Sequence, residues 1–150
     1  MRILVDGDGC PVLDIVQQAA EKFEVNLIVF TDLNHQHQLE YGKLITVDQG
    51  YQSVDMELFN QLENGDIVIT SDYGLAALAL SRETAVLSFS GRRFTEKNID
   101  RLLAQRHLHF KGRRRTGRHT THKKRSEKDD KRFKKNLIAI IKERIRKQTI

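Results

Sequence analysis

Two aspartates, Asp6 and Asp8, close the apolar run Ile3-Leu4-Val5 and are followed directly by Gly9-Cys10-Pro11. An acidic pair ending a buried strand is costly to leave without a partner. A third aspartate, Asp72, follows a second run of the same kind, Asp66-Ile67-Val68-Ile69-Thr70. If the two runs lie side by side, Asp6, Asp8 and Asp72 converge at one end of a sheet, where their charges repel and each raises the pKa of the others unless a cation neutralises them. Carboxylate oxygens are hard donors and select Mg²⁺ or Mn²⁺. Two such ions about 3.5 to 4 Å apart can activate a water and stabilise the leaving oxygen in phosphodiester hydrolysis. The bland reading of Asp72 is the N-cap of the helix that follows, and it carries about equal weight when Asp72 is taken alone.

The elements that must position these acids can be read around them. Ile3-Leu4-Val5 does not alternate with polar residues, which suits a strand buried on both faces in a parallel sheet. Gly7 and Gly9 permit a sharp turn, and Pro11, the only proline, suits the first position of a helix. Val12, Ile15, Val16, Ala19, Ala20 and Phe23 then recur at helical spacing over 11–23.

Strands are expected at 25–30, 44–47, 66–70 and 84–89, with a polar loop or irregular helix over 31–42. Ser53 can cap a helix to about Leu62, in which Asp55 and Glu57 complement the dipole, and Asn64-Gly65 supplies a turn with positive φ. Ser71-Asp72 opens another helix, and Thr95 can cap one to about Arg106. Five strands separated by helices predict an α/β fold, a three-layer sandwich on a five-stranded, mainly parallel sheet. The expected organisation is an α/β domain over 1–106, a basic flexible segment over 107–128, and over 129–150 an amphipathic basic helix that docks through Phe133, Leu137, Ile140, Ile141 and Ile145.

The net charge of +6 hides a division. Residues 1–90 hold 4 Lys+Arg and 14 Asp+Glu, net −10, whereas residues 91–150 hold 22 and 6, net +16. A basic end on an acidic body implies a polyanionic partner. Arg113-Arg114-Arg115 and Lys123-Lys124-Arg125 form its densest stretches, and Arg92 and Arg93 follow the fifth expected strand. With 39% hydrophobic residues, no apolar run of membrane-spanning length and no leader-like start, the expectation is a globular cytoplasmic protein that does not enter the membrane. One cysteine agrees with a reducing compartment.

Other chemistry-bearing residues read more simply. His35, His37, His107, His109 and Cys10 do not form a zinc pattern of known spacing, and are expected as surface histidines and a packed thiol. Asp66 starts its strand and so belongs to the opposite end of the sheet. Asp14 and Asp48 are expected to face solvent or to support the site from behind.

The segments DGDGCPV, ITSDYGLAALAL, SGRRFTEKNID and KKRSEKDDKRF, in that order and covering nearly the whole chain, resemble the YaiI/YqxD (DUF188) family of uncharacterised bacterial proteins. Gly9 stands where that family usually has alanine. The family is similar to PIN-like nucleases, and this likeness implies strand order 3-2-1-4-5 with a metal site from aspartates after the first and fourth strands. Carried over by position, these are Asp6, Asp8 and Asp72, with Asp55 as the nearest match to an acid on a middle helix. The acid that PIN nucleases carry after the fifth strand is replaced here by Ser88-Phe89-Ser90.

The reading that follows is a PIN-like, Mg²⁺- or Mn²⁺-dependent nuclease or a nuclease-derived RNA-binding protein. Asp6, Asp8 and Asp72 are expected as catalytic metal ligands with Asp55 beside them, Thr70 and Ser71 as groups supporting them, and Arg92, Arg93, Arg113, Arg114, Arg115, Lys123, Lys124 and Arg125 as phosphate contacts. Two rivals remain. One is a non-catalytic module that binds nucleic acid or the ribosome. The other is a haloacid-dehalogenase-like phosphatase, whose strand also ends in Asp-x-Asp, although the paired late aspartates of that superfamily are missing.

Overall fold

A computed structural model describes residues 1–33, 38–48, 53–116 and 124–148, the backbone alone over 109–116. The elements in chain order are β1 (Arg2–Asp6), α1 (Leu13–Lys22), β2 (Asn26–Asp32), β3 (Lys43–Val47), α2 (Val54–Gln61), β4 (Ile67–Ile69), α3 (Tyr73–Leu80), β5 (Ala85–Leu87), β6 (Arg93–Phe94), α4 (Glu96–Thr116) and α5 (Glu127–Gln148). The sheet order is β3-β2-β1-β4-β5-β6. All pairs are parallel except the last, in which Val86 and Leu87 face Phe94 and Arg93 antiparallel.

The expected five-stranded sheet is therefore a six-stranded one. The added strand is only two residues long, too short for periodicity to reveal, and is made by the turn over 88–92 folding the chain back onto β5. Within that turn the Arg92 carbonyl accepts from Ser88 N–H at 2.8 Å and the Ser88 carbonyl accepts from Gly91 N–H at 3.0 Å.

Alternate residues of the central strands feed two separate cores, as a strand period of two requires. Ile3, Val5, Val29, Ile67, Ile69 and Leu87 point into a layer made by α1 and α5. Leu4, Phe30, Val68 and Val86 point the other way, into α2, α3 and α4. This gives the three layers of an α/β sandwich. The buried anchors of α5, Phe133, Leu137, Ile140 and Ile141, belong to the first core.

Helix starts follow their sequence signals. Ser53 Oγ accepts from Met56 N–H at 3.3 Å, and Thr95 and Asn98 cap one another, Thr95 N–H to Asn98 Oδ1 at 2.9 Å and Asn98 N–H to Thr95 Oγ1 at 3.3 Å. The α4 helix does not stop near Arg106 but continues to Thr116, so 107–116, expected as flexible chain, is helical. Loss of an apolar stripe ends a helix's burial, not the helix itself, and Arg, Lys, Leu and His there keep adequate propensity with Gly112 as the only costly residue. No described helix is long and apolar enough to cross a membrane.

Candidate functional site

Strand order places the topological switch between β1 and β4, because the chain runs outward through β2 and β3 before returning to β1's other side. Ligand sites of open α/β sheets lie at the carboxyl ends of strands at such a switch. Asp6 is the last residue of β1, and Thr70-Ser71-Asp72 leaves the adjacent end of β4. The register confirms the match, with Val5 opposite Ile69 on one side and Asp6 opposite Phe30 on the other.

Thr70 joins the two strand ends. Its hydroxyl donates to Asp6 Oδ2 at 3.0 Å and accepts from the Asp72 N–H at 3.0 Å. Asp8 turns toward the opposite neighbour, β2, where its Oδ1 accepts from Thr31 Oγ1 and from Asp32 N–H, each at 3.4 Å. The turn that allows this is tight. Gly7 N–H donates to the Phe30 carbonyl at 2.7 Å, and a Cβ at Gly7 would stand 2.7 Å from that same oxygen. Only glycine brings the backbone so near to β2.

Asp6 is the electrostatic centre of this edge. Burial pushes its pKa up from the ordinary 3.8 to about 6; hydrogen bonds from Thr70 and the Asp8 N–H oppose the rise, and the charges of Asp8 and Asp55 add to it. Asp55, in the first turn of α2, thus adds its charge to that rise as well as complementing its helix dipole. Asp72 is the N-cap of α3, its Oδ1 accepting from Leu75 N–H at 3.1 Å. The capping reading of Asp72 is therefore correct. Among the described residues, no three His, Cys, Asp or Glu side chains are grouped so as to enclose a metal ion.

The remaining sequence candidates divide between this edge and structural duty. Ser71 Oγ accepts from Phe89 N–H at 3.2 Å and so ties the β4 turn to the β5 turn. Arg92 is exposed. Arg93 pairs with Glu143 of α5 at 3.1 Å. Arg125 pairs with Asp130 at 2.6 Å and donates to the Phe89 carbonyl at 2.6 Å, so its guanidinium fastens the chain before α5. Lys124 is exposed. Arg113, Arg114 and Arg115 lie on the last turns of α4, while Lys123 lies outside the described residues. Asp66 sits at the opposite rim, buried and held by Arg2 at 2.7 Å. His35 and His37 are outside the described residues, and Cys10 is a half-buried thiol whose pKa burial pushes up to about 12.

One acid of this edge escapes the sequence reading. Asp32, the last residue of β2, is buried at 4% exposure beside Asp8. The signal was available, since Ile28-Val29-Phe30-Thr31-Asp32 is another mainly apolar run ending in an aspartate. With Asp48 after β3, every one of the first three strands hands its carboxyl end to an acid.

The fold and this edge define a three-layer α/β protein whose switch point is acidic. The chain belongs to the YaiI/YqxD family, whose model, described as "Uncharacterized BCR, YaiI/YqxD family" (DUF188), matches residues 4–143. It is similar to a UPF0178 protein of Natranaerobius thermophilus, 51% identical over 94% of this chain and 96% of the relative. A UPF0178 protein of Ruminiclostridium cellulolyticum is 45% identical over 95% and 93%, and one of Clostridium kluyveri 41% over 94% and 93%. No solved structure matches the chain.

Proposed function

We propose that this protein is a PIN-like, divalent-cation-dependent nuclease acting on RNA, with Asp6 as the central ligand at the carboxyl edge. The observation that carries the reading is Asp6 itself, a carboxylate sunk at the switch point within the fields of Asp8 and Asp55. A cation there would compensate both its lost hydration and that repulsion.

The donor set fits Mg²⁺ or Mn²⁺ because the polar side chains that act on Asp6, those of Thr70, Asp8 and Asp55, all carry oxygen. Mg²⁺ commonly takes one or two carboxylates and completes its shell with water and substrate phosphate, so Asp6 with Asp8 or Asp55 suffices without a three-acid cage. When bound, the ion would polarise a phosphoryl oxygen and neutralise charge developing on it. Thr70 fixes the orientation of Asp6, Asp72 holds Thr70 through its N–H, and the Gly7 turn sets Asp8 beside β2. Asp72 thereby acts as a positioning residue.

The test uses a labelled RNA with a duplex stem and a single-stranded tail. Mn²⁺-dependent cleavage is expected from the wild type, with a loss of at least about 100-fold in Asp6→Asn and RNA binding retained. Equal cleavage by the variant, or by wild type in EDTA, overturns the assignment. A second reading, a non-catalytic RNA-binding module, is favoured by the capping role of Asp72. Its signature is RNA affinity indifferent to Mn²⁺ with no cleavage by either protein.

A further inference from the structure

The packing of α5 sorts its side chains into two opposed sets. Phe133, Leu137, Ile140 and Ile141 are buried against the sheet and α1. At 100° per residue, Lys128, Lys131, Lys135 and Lys142 then point the opposite way within roughly 60° of one another. They span about 21 Å of helix axis, and all four are exposed.

What marks this row is the regular spacing of one sign of charge along a single helix face. Five other cations of the described chain have carboxylate partners: Arg2 with Asp66, Arg93 with Glu143, Arg125 with Asp130, Arg132 with Asp129 and Lys147 with Glu143. Of the acids of α5, Asp129, Asp130 and Glu143 are taken up in these pairs and Glu127 is in none of them; none of the four lysines forms an ion pair or hydrogen bond among the described residues. Lys128 with Lys131, and Lys131 with Lys135, are like charges at helical contact spacing, an arrangement that costs helix stability. A partner carrying regularly placed negative charge would offset that cost.

We infer that this lysine row is a docking surface for the phosphate backbone of a nucleic-acid double helix. Single strands are usually held on aromatic platforms that stack their bases, and the only aromatic residue of α5, Phe133, is buried. A double helix presents phosphates outward on a stiff rod, which suits a straight row of cations and needs no base contact. A membrane-surface helix would sink its apolar face into lipid, whereas that face of α5 is spent in the core. The inference shares with the proposed function only the choice of nucleic acid as partner. The row starts beside Arg125, which is fastened to the turn after β5, so a bound duplex would begin near the acidic edge.

The experiment is fluorescence anisotropy with a labelled RNA duplex in EDTA, where cleavage plays no part and failure leaves the nuclease test untouched. The variant combines Lys128→Gln, Lys131→Gln, Lys135→Gln and Lys142→Gln. It should lose at least about tenfold in affinity, and the slope of log K against log salt should shrink by about 3.6, or roughly 0.9 per phosphate contact. The exposed pair Lys22→Gln with Lys43→Gln serves as the control and should leave both unchanged. Unchanged affinity and slope in the quadruple variant overturn the inference. So does tighter wild-type binding to the single strand, or to vesicles of phosphatidylcholine with phosphatidylglycerol, than to the duplex.

Discussion

Thr70 and Asp6, at the ends of neighbouring parallel strands, are joined by a hydroxyl-to-carboxylate hydrogen bond of 3.0 Å. The same hydroxyl receives the Asp72 N–H, so one oxygen couples the end of β1 to the start of α3. Thr70 is fully buried. Thr70→Val keeps the shape, leaves the Asp72 N–H without its acceptor, and removes a donor that holds the Asp6 pKa down. We expect a stability loss of about 1–3 kcal/mol and a further upward move of the Asp6 titration, read by carboxyl-carbon NMR. Thr70→Ser should restore both. If Thr70→Val titrates like the wild type, the hydroxyl does not govern Asp6.

The raised pKa of Asp6 makes a signed prediction for stability. The folded protein holds the Asp6 proton up to about pH 6, whereas the unfolded chain releases it near 3.8. Between these values the folded state binds more protons, so this group's contribution falls as pH rises and its full cost is present above about pH 6. Allowing for partial exposure, that cost is about 2 kcal/mol. Asp6→Asn should therefore melt higher than the wild type at pH 7, with the two converging near pH 4. Parallel melting temperatures from pH 4 to 8 would remove Asp6 as the strained group of this edge.

Legibility from sequence tracked the length scale of each feature. The apolar runs at Ile3–Val5 and Ile67–Ile69 announce buried strands because neither face meets water, and the return of β4 to β1's side follows from the way such sheets are wound. The pair Asp6 and Asp8 was visible for the same reason. What stayed hidden depended on partners far along the chain. Arg93 and Arg125 look like free cations in a basic stretch until Glu143 and Asp130 are brought to them. The two-residue β6 and the continuation of α4 beyond Arg106 carry no periodic signal. Asp32 was readable but was absorbed into the polar loop that follows it.

The SGRRF segment offers the last prediction, because its turn is the seat of α5. The three successive carbonyls of Phe89, Ser90 and Gly91 accept from Arg125 Nη1 at 2.6 Å, Arg132 Nε at 2.7 Å and Asn136 Nδ2 at 2.7 Å. Gly91 has φ +90, and a Cβ there would stand 3.0 Å from Phe133 N and 3.1 Å from the Arg132 carbonyl carbon, both backbone atoms of α5. Gly65 shares the φ of +90 but has nothing within 4 Å of its Cβ position. Gly65→Ala should therefore cost only the left-handed conformation, about 1–2 kcal/mol. Gly91→Ala should cost that plus the displacement of α5 from its core, at least about 1–3 kcal/mol more, the range typical of overpacking. Urea denaturation measures the difference, and trypsin cleavage within 124–148 should speed up in Gly91→Ala alone. Equal losses in the two variants would mean that the close approach of α5 to Gly91 does not hold the helix in place.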